Sequence, residues 1–204
     1  MGSVDVLNSK IQLLFASQNN FKRDELAAIL LPEVELITLK DLNYSIELEE
    51  DYDTIEENAR QKAQFIYHLF NRDCISEDTA LEVESLMGEP GVHTAHYAGP
   101  GRSASDNMNL LLKNLDGHQH RLAQFRTVIC LIYQGKEFLF EGICKGRIAE
   151  IKQGDNGFGY DPIFIPEGRH VSFARMDQAE KNAISHRTLA ARMLKRHLLH
   201  DSGT

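Results

Sequence analysis

The chain has 204 residues, 30 of them acidic and 22 basic, for a formal net charge of −8. A hydrophobic share of 42% beside a charged share of 25% is ordinary for a globular protein, enough for one large domain or two tightly joined lobes, and excludes a disordered chain. The acidic balance argues against a protein that coats DNA or RNA, which needs a broad cationic surface, but leaves room for a small anionic ligand held by a few local lysines.

Along the chain, IQLLFA (11–16) is a short apolar run that reads as a buried strand. SQNN hands it over to FKRDELAAILLP, where Phe21, Leu26, Ile29 and Leu30 have helical spacing and Pro32 ends the helix. VELITL (34–39) is a second strand, and NYSIELEEDYD (43–53) an acidic connection. TIEENARQKAQFIYHLFN (54–71) carries Ile55, Ala59, Ala63, Ile66 and Phe70 along one stripe and predicts a long helix. CIS (74–76) followed by EDTALEVESL suggests a strand, a turn at the acidic pair, and another strand. MGEPGVHTAHYAGPG (87–101) is a loop rich in glycine and proline, and SASDNMNLLLKNL (103–115) a helix with a serine near its N-cap. The β-rich segment 121–151 is broken at Gln134-Gly135, so a hairpin is expected. DQAEKNAISHRTLAARMLKRHLL (177–199) reads as one closing helix, with Asp177 and Glu180 spaced as a capping box. There are no repeats or long linkers. The order β-α-β-α, then hairpins, then α, predicts a mixed α/β domain.

Three cysteines, Cys74, Cys130 and Cys144, form no CxxC pair, which excludes a zinc ribbon or a disulfide framework and suits a reducing compartment. No apolar run approaches a membrane span, and MGSVDVLNSK lacks a signal core, so the chain reads as cytoplasmic with no membrane partner. The pairs His93/His96 and His118/His120 sit in loop or turn sequence without a cysteine or carboxylate pattern and are not read as zinc ligands.

Four groups of residues could carry chemistry. In SQNNFK (17–22), Ser17, Asn19 and Lys22 stand where a strand meets a helix N-terminus, a plausible phosphate cradle, though an ordinary cap with a solvated lysine reads the same way. Glu49, Glu50 and Asp51 precede the long helix, and Glu77-Asp78 follow a short strand. Two adjacent carboxylates plus a third could hold Mg²⁺ and leave one free as a base, or they could be a solvated acidic surface. In AEKNAISHR (179–187), Lys181 and Ser185 share a helical face, whereas adjacent His186 and Arg187 splay apart by about 100°. Finally, NGFGYDPIFIP (156–166) packs glycines, aromatic rings and Asp161-Pro162 into eleven residues. Its backbone can approach a ligand and its rings offer flat faces.

Taken in order, these stretches resemble the family of nucleoside triphosphate pyrophosphatases that remove inosine and xanthosine triphosphates (ITPase-like), from about Leu13 to the last helix. SQNNFK is similar to the family's [ST]-x-N-x-x-K opening, TIEENARQKA to its T-F-E-E-N-A helix, GEPGVHTAHYAG to its P-G-v-y-S-A-R-Y-a-G loop, and GFGYDPIF and KNAISHR to its two most specific signatures. The resemblance implies an elongated mixed β-sheet flanked by helices in two lobes with a central cleft, one unit over 1–204 with its core at about 11–199. It also implies a homodimer, a cofactor Mg²⁺, and conversion of ITP, dITP or XTP to the monophosphate and pyrophosphate. Ser17, Asn19 and Lys22 would hold the triphosphate, with Lys62 and Lys181 as further cations. Glu50, Glu77 and Asp78 would bind the metal, Asp78 would also serve as base with Lys22 and Lys62 as the other catalytic residues, and Thr79, Gly159 and Tyr160 would contact the substrate. Phe158, within Phe158-Gly159-Tyr160-Asp161, would stack on the purine. Asp161 would accept from N1–H while His186 and Arg187 donate to O6. Adenine reverses both groups, so a site built this way rejects ATP.

The chain departs from the family pattern at four places. D-D-S-G-L becomes Glu77-Asp78-Thr79-Ala80-Leu81, so a ligand is one methylene longer, and Ala80 would be strained if its φ were positive. His96 stands for an arginine, and Arg175 stands where an acidic residue is usual. These departures keep two other readings open: a pyrophosphatase of the same fold acting on pyrimidine or other modified nucleotides, and a nucleotide-binding protein with impaired catalysis.

Overall fold

The computed structural model describes residues 10–201. Its centre is a seven-stranded mixed sheet. β1 (Ile11–Phe15) lies between β2 (Val34–Thr38) and β3 (Cys74–Val83), parallel to both, because α1 (Asn20–Leu30) and α2 (Ile55–Phe70) carry the chain back between them. From β3 onward the sheet is antiparallel. β5 (Leu122–Tyr133) pairs with β3 on one side and β6 (Lys136–Ile148) on the other, β7 (Phe164–Pro166) adds to β6, and the two-residue β4 (Pro90–Gly91) adds to the far end of β3. The β5–β6 turn falls at Gln134-Gly135, both at positive φ (51° and 75°), as a two-residue hairpin turn requires. The remaining helices are α3 (Ala104–Asn114), α4 (Gln178–Ile184) and α5 (His186–Asp201).

Strand alternation sorts the core. Leu13, Phe15 and Ile75 point to the face covered by α1 and α5, where Leu26, Leu30, Ala190 and Leu194 meet them. Leu14, Ala16 and Cys74 point to the opposite face, against Ile55, Ala59, Ala63 and Ile66 of α2. A third apolar cluster, built on Leu111, Phe125, Phe164 and Phe173, packs α3 and the loop before β7 against the other end of the hairpin. α5 lies so close to β6 that a Cβ on Gly142 would stand 2.0 Å from the His186 carbonyl oxygen and 2.6 Å from the Ala190 nitrogen. Only glycine lets the helix seat there.

Four expectations change. The segment 74–83 is one unbroken strand, paired residue for residue with β5 from Cys74↔Ile132 to Val83↔Ala123. The Glu-Asp pair reads as a turn because acidic residues avoid strands, yet here buried cations neutralise both. Ala80 sits within that ladder and is absent from the positive-φ positions, so the anticipated strain does not arise. The closing helix is two helices, since Ser185 leaves the helical region (φ −68°, ψ 148°) and ends α4 by donating its N–H to the Lys181 carbonyl. Its Oγ then accepts the Thr188 N–H at 3.3 Å and so caps α5. Phe21, assigned to the helix's apolar stripe, is 60% exposed.

Candidate active site

The site begins as an interruption in the sheet edge. β1 pairs with β3 only at Cys74 and Ile75, and β4 joins only at Leu81 and Glu82. Residues 76–80 therefore have a ladder partner on the β5 side alone. Lys62 of α2 covers part of this open edge by donating to the Glu77 carbonyl at 3.0 Å. A cleft of about 650 Å³ opens here, and of the residues expected from sequence it is lined by Ser17, Asn19, Lys22, Glu50, Lys62, Asp78, Thr79, Phe158, Gly159, Tyr160, Asp161, Lys181, His186 and Arg187.

Because β3 is a strand, its two adjacent carboxylates face opposite sides. Glu77 turns toward α1 and α5. Its Oε2 accepts from Arg187 Nε at 2.8 Å, its Oε1 from Arg187 NH2 at 2.8 Å and Thr79 Oγ1 at 2.9 Å, and Lys22 Nζ stands 3.4 Å away. Burial would raise this carboxyl, but the Arg187 and Lys22 charges outweigh it and hold it at about 2. Asp78 turns toward α2, where Lys62 Nζ lies 3.3 Å from its Oδ1 and 2.5 Å from Glu50 Oε1. Glu77 and Asp78 thus do not converge on one point. Asp78 converges instead with Glu50, across Lys62.

The environment separates the two members of this second pair. Burial pushes the Asp78 carboxyl up and Glu50 adds to it, so the lysines only partly offset the rise. Glu50 is also raised by burial, but Lys62 and Lys22 bring it below the ordinary carboxylate value. A lowered and a raised carboxyl side by side is how a site divides labour between a permanent charge and a proton acceptor. Burial opposes the charge on Lys62, yet Asp78 and Glu50 hold its pKa above normal, so it is a permanent cation.

At the helix end of the cleft, the Ser17 hydroxyl accepts the Asn19 N–H at 3.2 Å, and Asn19 Oδ1 accepts the Lys22 N–H at 3.2 Å. These are the caps of α1, and they leave Lys22 projecting toward β3.

The other end of the cleft sets aromatic rings beside buried polar groups. Gly157, at φ 80°, lets the loop turn under Phe158. A Cβ there would strike Asp161 Oδ2 at 2.1 Å. That oxygen accepts the Phe158 N–H at 2.9 Å and Lys181 Nζ at 2.6 Å, leaving Oδ1 without a partner among the described residues. Tyr160 is buried and anchors the loop by donating to the Thr94 carbonyl at 3.0 Å. Lys181 bonds Asp161 and Glu25, which places its charge beside Phe158 at this end. His186 is buried, stacks on Phe125 (centroids 4.6 Å, 17°) and leaves Nδ1 with no hydrogen-bond partner among the described residues. Burial and the nearby Arg187 lower its pKa well below normal, so the ring is neutral. The residue itself lines the cleft, while its Nδ1 is closed off from solvent. Arg187 is not free in the same way: Glu77 takes Nε and NH2, and Glu25 takes NH1. His186 and Arg187 open α5 directly after the break at Ser185, and both are buried.

Sequence reasoning missed Glu25, Phe21 and Arg102. Glu25 holds Lys181 and Arg187 together from α1, and its spacing of three from Lys22 put it on the same helical face. Phe21 stacks on Phe158, and Arg102 crosses the cleft mouth to Glu47 at 2.8 Å. No local signal distinguishes either from a surface residue. Of the four departures from the family pattern, Glu77 and Ala80 are accounted for above. His96 pairs with His93 in the loop (Nε2 to Nδ1, 3.2 Å), and nothing in the structure explains Arg175.

Among the described residues no cluster of three or more His, Cys, Asp or Glu side chains could hold a metal ion by itself. Glu50 and Asp78 are the hard oxygen donors that converge, and two carboxylates completed by phosphate oxygens are a usual Mg²⁺ environment.

A sequence model of the Ham1 family matches residues 13–197. The chain is 46% identical over 184 residues to the dITP/XTP pyrophosphatase of Flavobacterium johnsoniae, covering 90% of this chain and 96% of that protein. It is 45% identical over 188 residues to the dITP/XTP pyrophosphatase of Christiangramia forsetii, covering 92% and 99%. The solved Ham1 protein of Staphylococcus aureus superposes with a TM-score of 0.85 at 35% identity, covering 93% of this chain and 99% of that one.

Proposed function

The chain belongs to the Ham1 family, and from that premise we propose that it hydrolyses deaminated purine nucleoside triphosphates (ITP, dITP and XTP) to the monophosphate and pyrophosphate, clearing them from the nucleotide pool. The observation that carries this reading is the joining of two chemistries in one cleft. Lysines and the Glu50–Asp78 pair line it together with Phe158, Asp161 and His186.

At the phosphate end, Lys22 and Lys62 supply fixed positive charge where negative charge builds on the phosphate oxygens. Asp78, whose proton affinity is raised, takes a proton from the attacking water. That water oxygen bonds to the α-phosphorus, the bond from the α-phosphorus to the bridging oxygen breaks, and pyrophosphate leaves with that oxygen. Glu50 and Asp78 are the residues that would hold Mg²⁺, which when bound neutralises phosphate charge. Glu77, whose oxygens serve Arg187, Thr79 and Lys22, is assigned to holding those cations in place.

At the base end, Phe158 stacks on the purine. The free Oδ1 of Asp161 accepts from N1–H of hypoxanthine or xanthine, and the neutral His186 ring, which lines the cleft, donates its N–H to O6. Arg187, buried beneath, keeps one N–H of NH1 for the same oxygen. Adenine offers a donor where His186 donates and no N1–H for Asp161, and such a mismatch costs far more than a missing methylene.

We further infer a homodimer in the cytoplasm. Three free, buried cysteines suit a reducing compartment, and no helix among the described residues is long and apolar enough to cross a membrane. The test is pyrophosphate release across a panel of triphosphates with Mg²⁺. ITP, dITP and XTP turn over and ATP hardly does. Fastest turnover of CTP or TTP, or binding of ITP without cleavage, would overturn the assignment.

A further inference from the structure

Phe21 is a large apolar ring left 60% exposed on the first turn of α1, one residue from Lys22. It gains nothing from the core, yet it lies nearly parallel to Phe158, with centroids 5.3 Å apart and 12° between the planes, and both rings line the cleft. Phe158 has two other neighbours, Lys181 Nζ at 5.1 Å and the Arg187 guanidinium carbon at 5.3 Å from its centroid. A base that stacks on Phe158 must take the place of one of these partners. Lys181 is buried and bonded to Asp161 and Glu25. Arg187 is buried and bonded to Glu77 and Glu25. Moving either strands buried carboxylates. Phe21 is held by ring contact alone, and an exposed side chain changes rotamer within nanoseconds. It is the partner that yields.

We propose that Phe21 is a second base-binding ring: it lifts from Phe158 by one stacking distance, the purine enters between them, and the two phenylalanines hold it as a sandwich. The inference rests on the reading of this cleft as a nucleotide site and adds to it a residue that acts on the base face rather than its edge. Stacking ignores the hydrogen-bonding pattern of the base, so Phe21 contributes affinity while Asp161 and His186 keep the choice between keto and amino purines. In the free protein the same ring covers Phe158 and keeps that apolar face from water.

The experiment compares wild type with Phe21→Ala, Phe21→Tyr and Phe21→Trp. One lost aromatic pair is worth roughly a 2- to 12-fold change in binding. Phe21→Ala therefore raises KM for ITP and XTP by about that factor, leaves kcat close to wild type because Phe21 does not touch the reacting phosphate, and preserves the preference for ITP over ATP. Phe21→Tyr restores wild-type KM. The chain has no tryptophan and six tyrosines, so Phe21→Trp provides a lone tryptophan, excited apart from the tyrosines, whose emission changes on titration with inosine monophosphate, read without turnover. An unchanged or lowered KM in Phe21→Ala, or a Phe21→Trp emission indifferent to the nucleotide, overturns the sandwich. Wild type that releases pyrophosphate normally while Phe21→Ala matches it sinks this inference alone, whereas wild type inert on ITP, dITP and XTP sinks the functional assignment beneath it.

Discussion

Replacing Glu77 with glutamine keeps the side chain's shape and removes its charge. In the wild type both oxygens are fully buried and engaged, and the Arg187 guanidinium they face is itself buried. Two routes give the size of the effect. The difference between the ordinary value of 4.5 and the folded value of about 2 corresponds to roughly 3 kcal/mol of stability at neutral pH. Breaking a buried ion pair by removing one partner costs about 3–5 kcal/mol. Both point to about 3 kcal/mol, with Glu25 left as the only carboxylate on Arg187. For a chain of this length that lowers Tm by about 6–12 °C. Urea unfolding at pH 7 reads it as a lower midpoint with unchanged slope. The pH dependence follows from the sign of the shift. A carboxyl whose folded pKa is depressed stabilises above its unfolded value and loses that contribution as pH falls through the folded value. The gap between wild type and Glu77→Gln is therefore full above 4.5 and shrinks to roughly half by pH 3. A midpoint difference below about 0.5 kcal/mol at pH 7, or a gap that does not narrow between pH 5 and pH 3, would refute the role given to this pair.

Two further outcomes are expected. Asp78→Asn lowers kcat for ITP by about 10²–10⁴-fold while nucleotide affinity, measured by equilibrium titration, stays within a few-fold of wild type; a wild-type rate would remove Asp78 from the role of base. Gly142→Ala forces a Cβ against the His186 carbonyl and the Ala190 nitrogen, so it costs about 1–3 kcal/mol in urea unfolding and depresses pyrophosphate release by displacing His186 and Arg187. An unchanged unfolding midpoint would show that α5 can move off the strand at no cost.

The helices and the hairpin were legible because their signals are local. The stripe Ile55, Ala59, Ala63, Ile66 specifies α2, the spacing of Asp177 and Glu180 is realised as a two-way capping box, and Gln134-Gly135 marks the β5–β6 turn. The nature of β3 was not legible. Its acidic pair looks like a turn until Arg187 and Lys62, 110 and 16 residues away, are known to neutralise it. Ser185 carried an N-cap signal that the unbroken periodicity on either side masked. Most of the residues that line the candidate cleft were readable one by one, since Lys22, Asp78, Phe158 and Asp161 occur in dense local patterns. Its wiring was not: the bond from Glu25 to Lys181 and Arg187 spans more than 150 residues.

The continuous ladder has a mechanical consequence. Ten residues of β3 and twelve of β5 run side by side, and β5 continues the pairing into β6 along its whole length. Of the residues lining the cleft, Asp78, Thr79 and Phe125 are mounted on this one ribbon, which resists bending because any fold across it would break many bonds together. The parts of the cleft wall contributed by the acidic stretch at 43–53 and by the loop at 156–161 stand outside the ladder, so a change in either leaves the paired strands beneath intact.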